Sequence, residues 1–320
     1  MYIPECDVVP IQCGRARVLT RGIALATKDE KTRGGSLMKH SVGRILSTVA
    51  VALCCALPMG QWRAEAAETV RINGSGSALY VMKPLIKAYA KAHPEVRIEM
   101  EKPLGSSGAI KALLAGALDL AASSKVLKAE EVTQGAISRE YGRMPLAIVT
   151  GKKVPKTNIT TRELEDIYSG KVKTWPNGEP VRLVLRPDAD IDTKILEGLS
   201  PAMGKVVKEA HSRHGMIVAV TDPESDEAVV KTSGSLGAAA LPALLVERTP
   251  LNVLTLNGVK PTVKSLANGT YPLAKDIRFI TTKHTSSAAH KFIDFVASPQ
   301  GRAIAEKAGV LVTAEGKKGP

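Results

Sequence analysis

Two short glycine and serine stretches, Gly74-Ser-Gly-Ser-Ala78 and Gly105-Ser-Ser-Gly108, each follow an apolar strand-like run and open an amphipathic helical pattern. The first four N–H groups of a helix have no intrahelical acceptor and carry partial positive charge. A glycine-containing approach lets an anion come close to them. Serine adds hydroxyl donors without adding formal charge. The chemistry such a pair of loops suits is reception of a small oxyanion. Ser106 has two readings, ligand donor and plain helix N-cap, and one side chain can do both.

The elements that must position these loops alternate between strand and helix patterns, which is the α/β signature. Residues 69–73 read as a strand. The helix after it places Met82, Leu85, Ile86 and Tyr89 on one face at i, i+3, i+4, i+7. Residues 96–100 read as a second strand. The helix that Gly105 opens carries Ile110, Leu113, Leu114 and Ala117, and the run 118–122 ends at the polar Ser123-Ser124-Lys125. Binding groups at strand C-termini are where open α/β sheets take ligands. Farther on, 144–150, 181–185, 251–256 and 277–281 look like strands, and 191–199 like a helix. A helix from Ser286 buries Ala289, Phe292, Ile293 and Val296, and Ser298-Pro299 begins another. The architecture expected is two α/β lobes, the first built from both ends of the chain (67–147 and 252–320), the second from 148–251, with the ligand cleft between them.

Residues 1–66 read as upstream extension plus signal peptide rather than domain. Met38 is the expected start, Lys39, His40 and Arg44 form a basic n-region, 45–59 an apolar h-region, and Ala64-Glu-Ala66 an A-x-A cleavage site. Export to the periplasm with cleavage after Ala66 follows from that pattern. All four cysteines (Cys6, Cys13, Cys54, Cys55) precede residue 67, so the 254 residues after the site hold no disulfide and no thiolate metal ligand. Of 44 Lys and Arg and 31 Asp and Glu, nine and five fall before residue 67, leaving 35 against 26 and a net charge of +9. Basic charge draws anions, but single scattered lysines and scarce aromatics do not make a nucleic-acid surface.

The residues resemble the phosphate-binding, PstS-like branch of the periplasmic substrate-binding proteins of ABC transporters. The likeness runs through Gly74-Ser-Gly-Ser, Gly105-Ser-Ser-Gly-Ala-Ile, Leu164-Glu-Asp-Ile-Tyr-Ser-Gly-Lys171 with Trp175, Asn257-Gly-Val-Lys-Pro-Thr262, Tyr271-Pro-Leu273 and Ser298-Pro-Gln-Gly301. The order and spacing of these pieces, rather than any one of them, make the match specific.

What the resemblance implies is a two-lobed type II clamp, each lobe a mainly parallel sheet flanked by helices. It acts as a monomer that closes on phosphate or a similar oxyanion and delivers it to a membrane permease, its one link to the membrane. In such proteins the first loop supplies donors, here Ser77, Ala78 and Leu79, and the second a serine, here Ser106 with Ser107 and Gly108 adjacent. The usual carboxylate of the third strand end aligns with Ser124. The arginine of the fourth aligns with Arg186, which Asp188 would orient through charge-assisted hydrogen bonds. Lys125 reads equally as an anion contact and as solvated surface.

One departure is informative: where the family has a Ser-Gly-Thr turn, this chain has Asp190-Ile191-Asp192. Carboxylates within about 4 to 6 Å of an anion repel it unless they are protonated or turned away. Three readings stand: Asp190 or Asp192 caps the following helix, one of them accepts the proton of a protonated oxyanion, or the ligand itself is changed. Enzyme motifs are missing: no dinucleotide fingerprint, P-loop lysine, H-E-x-x-H or G-x-S-x-G occurs. No cofactor and no metal is expected, and His211 and His214 read as a solvated helix face. A sensor or interaction module of the same fold, or a periplasmic hydrolase, is the alternative to transport.

Overall fold

The computed structural model describes residues 68–313; the signal-peptide and cysteine readings lie outside the described residues. In chain order the strands are β1 (Glu68–Gly74), β2 (Val96–Met100), β3 (Leu120–Ser123), β4 (Ile137–Gly151), β5 (Asn158–Ile159), β6 (Arg182–Leu185), β7 (Ile217–Val218), β8 (Ser235–Ala240), β9 (Leu251–Val253), β10 (Thr255–Leu256), β11 (Ala274–Thr281) and β12 (Leu311–Val312). The helices are α1 (Gly76–Ala92), α2 (Gly105–Leu114), α3 (Ala129–Thr133), α4 (Thr161–Tyr168), α5 (Ile191–Glu197), α6 (Pro201–His211), α7 (Asp222–Lys231), α8 (Leu241–Leu245), α9 (Val263–Ala267), α10 (Ser287–Ala297) and α11 (Pro299–Lys307). None of the described helices is long and apolar enough to cross a membrane.

One long strand joins two sheet blocks in the order β2-β1-β3-β11-β4-β8-β6-β7. The outer strands β2, β1, β3 on one side and β8, β6, β7 on the other are parallel, while β11 and β4 run antiparallel at the centre. β4 pairs with β11 up to Pro145 and with β8 from Leu146, so the chain passes from the first half to the second inside a single strand. The return differs from the expected 251/252. β9 and β10 still pair with β4 and β5, and Leu254, Leu256, Tyr271 and Leu273 pack in the second core. The chain re-enters the first half at Ala274, where β11 begins. Apolar burial sets that boundary.

Each half has its own apolar core. In the first, Met82, Leu85 and Tyr89 of α1 lie against Phe292 of α10, with Tyr89 edge-on to that ring at 5.2 Å; in the second, Ile148, Leu183, Leu196, Met203 and Leu236 close over β4, β6 and β8. The spacing read for α1 and α10 is therefore the buried stripe, while α2 stops at Leu114 and leaves Ala117 beyond it. β1 and β3 run one way and β6 the other, so their C-terminal ends face each other and bring Ser75 and Arg186 to one cleft, with Ser124 hydrogen-bonded to Ser75.

Candidate functional site

The first half contributes three strand ends tied by serines. Gly74 is required where β1 meets β3, because a Cβ there would lie 2.0 Å from the Ala122 carbonyl oxygen. The chain then turns at Ser75, whose hydroxyl accepts from the Ala78 amide as the N-cap of α1, while its carbonyl accepts from Leu79 N–H at 3.0 Å. The Ser75 and Ser124 hydroxyls share a hydrogen bond of 2.7 Å, and the Ser124 amide donates to Ser106 Oγ at 2.9 Å.

α2 starts differently. Leu104 stands at its N-cap position with no side-chain cap, and Gly105 enters the helix at φ +71°, which favours glycine. The first turn of α2 therefore keeps its orphan amides and the positive end of its dipole. Lys125 reaches across to it and donates from Nζ to Ser107 Oγ at 2.7 Å. Of the two readings of Lys125, the structure places it beside this helix start.

The second half contributes an ion network. Arg186 follows β6 and is only 6% exposed; Nη1 donates to the Ala219 carbonyl and Nη2 to Asp190 Oδ2, each at 2.9 Å. Asp190 also caps α5, its Oδ1 accepting from the Asp192 amide at 2.9 Å. Asp192 is buried and faces Lys275 of β11 at 2.7 Å, and Lys275 donates in turn to Asp222 Oδ1 at 2.5 Å. Asp222, the first residue of α7, lies 3.8 Å from Arg186 and accepts a backbone hydrogen bond from Ser77. Next to it, Tyr80 donates its hydroxyl to Asp226 Oδ2 at 2.8 Å.

Burial acts on all these carboxylates, and their partners decide the outcome. For Asp222, burial pushes the pKa up, but attraction to Lys275 and Arg186 and the hydrogen bonds from Lys275 and Ser77 prevail and hold it down at about 2. For Asp192, burial prevails over Lys275 and raises it. Burial likewise lifts Asp226 to about 7, against the Tyr80 hydrogen bond. Lys275 and Arg186 lose by burial and gain more from the surrounding aspartates, so both stay protonated.

A cleft of about 230 Å³ opens where these groups meet, lined among others by Ser106, Ser107, Lys125, Arg186, Asp190 and Lys275. A larger groove of about 1180 Å³ runs past the C-terminal end of α2, but all of its lining comes from the first half. Convergent buried polar groups from both halves make the smaller cleft the candidate site.

Several predicted residues stand elsewhere. The Ser77 amide goes to Asp222, and those of Ala78 and Leu79 to Ser75, so none of the three is left for a ligand. Gly108 and Ser124 lie outside the cleft lining, Ser124 acting as the tie between loops. Asp188 does not orient Arg186: it is 75% exposed and faces His211 Nδ1 at 3.3 Å, and Asp190 takes the orienting role. His211 is not on a solvated face either, since its Nε2 lies 2.6 Å from the Arg186 carbonyl; His214 is exposed as expected.

Sequence reasoning missed Lys275, Asp222, Asp226 and Tyr80. One signal was available for Lys275. It stands in phase with Ile277 and Phe279 along β11, so its side chain had to share their buried face.

Residues 61–300 match the family model described as the PBP superfamily domain. Phosphate-binding protein PstS of Borreliella burgdorferi is 28% identical over 255 residues, covering 76% of this chain and 89% of that protein. The protein of the same name from Bacillus subtilis is 24% identical over 249 residues, covering 73% and 77%. Among solved structures, a candidate phosphate ABC transporter substrate-binding protein from Clostridium perfringens, with bound phosphate, shares the fold at TM-score 0.66 and 22% identity. The match covers 77% of this chain and 100% of that one. An ABC-type phosphate transport receptor from Vibrio cholerae does so at 0.54 and 22%, with the same coverage.

Proposed function

We propose that this chain, which belongs to the PBP superfamily, captures a small oxyanion, phosphate foremost, in the cleft between its halves and presents it to an ABC permease in the periplasm. The observation that carries the reading is the uncapped start of α2, with Ser106, Ser107 and Lys125 beside it, lining the same cleft as the buried Arg186. Among the described residues the buried Arg186 Nε has no hydrogen-bond acceptor, facing Asp192 Oδ2 only at 3.8 Å. An orphaned buried donor is costly, and an anionic oxygen would satisfy it. Relatives over most of the chain carry the name phosphate-binding protein, which supports phosphate before other anions.

The aspartates do not turn the cleft against an anion, because each faces a cation of the protein and Lys125 adds a third positive charge to the lining. Asp190 is held by Arg186, and Asp192 and Asp222 by Lys275. Asp190 reads first as cap and arginine clamp; as a cleft-lining acceptor it can also receive the proton of a monoprotonated oxyanion. The ligand exchanges water for the oriented N–H and O–H dipoles of the cleft. No bond is made or broken. The protein acts as a monomer, and its mature part begins at Ala67.

A thermal-shift and calorimetric panel of phosphate, arsenate, sulfate, molybdate and small organic acids tests this. Ligand at a hundred times its Kd stabilises the native state by about 2.7 kcal/mol. Phosphate is expected to raise the melting temperature most. No shift with phosphate at millimolar concentration, alongside a clear shift with an organic acid, would replace the oxyanion reading.

A further inference from the structure

We propose that Asp222 is an internal latch: its carboxylate, seated on the first turn of α1 and on Lys275, fills the anion place of the first loop and holds the two halves closed with no ligand bound. The inference rests on the cleft reading above but concerns closure, not the identity of the ligand.

α1 and β11 belong to the first half, α5 and α7 to the second, and a set of buried polar contacts between the halves converges on this one point. Asp222 crosses from α7 to accept the Ser77 amide of α1 and the Lys275 ammonium of β11, at 2.5 Å for the latter. Lys275 also binds Asp192 of α5 at 2.7 Å, and one turn along α7 Asp226 receives the Tyr80 hydroxyl of α1. These groups are almost fully buried, with Lys275 1% and Asp222 6% exposed, so the pairing acts where solvent does not screen it. Opening the cleft would strand Lys275 and Asp222 as buried or freshly solvated single charges and free the Ser77 amide.

Packing fits the same role. A Cβ on Gly76 would lie 2.6 Å from Pro223 Cδ and 2.9 Å from Asp222 Cβ. Glycine is thus what lets the start of α7 come down onto the start of α1. A carboxylate at a helix N-terminus is the arrangement an oxyanion would otherwise make there. The ligand is then left the α2 side of the cleft, where the first turn carries no cap.

The test compares ligand-free wild type, Asp222→Asn and Gly76→Ala by small-angle scattering and amide hydrogen exchange, then repeats the measurement with inorganic phosphate. The first substitution keeps the side-chain volume and removes the charge; the second keeps the charge and pushes α7 away. Ligand-free wild type is expected to be compact and to change little with phosphate. Both variants are expected to show a larger radius of gyration and at least tenfold faster exchange at Ser77, and to contract when phosphate is added. An expanded ligand-free wild type, or variants as compact and as protected at Ser77 as wild type, overturns the latch. If phosphate binds none of the three, the proposed ligand fails, and the ligand-free comparison still decides the latch.

Discussion

The two glycine and serine loops of the first half look alike in sequence and end in opposite states. At the start of α1, every amide expected to meet a ligand is taken, by Ser75 or by Asp222. At the start of α2, no side chain caps the helix, and Ser107 and Lys125 extend its donor set into the cleft. A helix N-terminus is an anion site only if the protein does not fill it first. Whether it does is decided by residues far away in the chain.

The difference can be broken most forcefully at Lys275. Lys275→Met leaves Asp192 and Asp222 buried without their cation, and breaking a buried pair this way costs about 3–5 kcal/mol. Urea unfolding at neutral pH should show it; a loss below about 1 kcal/mol would mean that the network does not hold the first loop. Ser107→Ala should next weaken phosphate binding by about tenfold to a hundredfold, since a hydrogen bond to a charged group contributes about 1.5–3 kcal/mol. Ser75→Ala should read out in stability instead, by about 1 kcal/mol for a lost N-cap. Equal losses of phosphate affinity in these two variants would erase the distinction between the loops.

The smallest effect expected is in pH. Asp226 is faced by Tyr80, Asp222, Lys275 and Asp192, and burial lifts its pKa to about 7. The folded protein then holds that proton more tightly than the unfolded chain, whose carboxyl titrates near 3.9. Stability from this group is present at low pH and is lost as pH rises through about 7. Asp192, also raised, acts in the same direction. Asp222, held at about 2, opposes them only below the ordinary carboxylate range. The melting temperature should therefore rise by a few degrees between pH 8 and pH 5.5, and Asp226→Asn should flatten the upper part of that slope. A wild-type melting temperature that falls over this interval would show that Asp226 is not buried as described.

Much of this was legible in the chain. Local rules suffice for α1, α10 and α11, because caps such as Ser286 and Ser298 and a stripe of apolar residues act within a few positions. Arg186 and the second loop were legible as candidates for the cleft they line, Arg186 because it follows the apolar end of β6 and the loop because its glycines and serines open a helix. Asp188 was chosen over Asp190 as the arginine's partner because nearness in sequence does not say which carboxylate turns inward. That choice belongs to the cap of α5, which aims Asp190 at the guanidinium and leaves Asp188 outside.

What the sequence determined alone is the order of strands and helices, the anion-receptive character of their junctions and the family to which the chain belongs. The first two depend on periodicity, capping and composition, which are properties of neighbouring residues, and the family on the order and spacing of short motifs along the whole chain. Only the tertiary structure decided that Asp222 fills the first junction, that Lys275 pairs with two aspartates from different helices, and that the second junction has no side-chain cap. Hydrogen bonds and buried charges are satisfied by whatever partner folding brings within about 3 Å, whatever its distance along the chain.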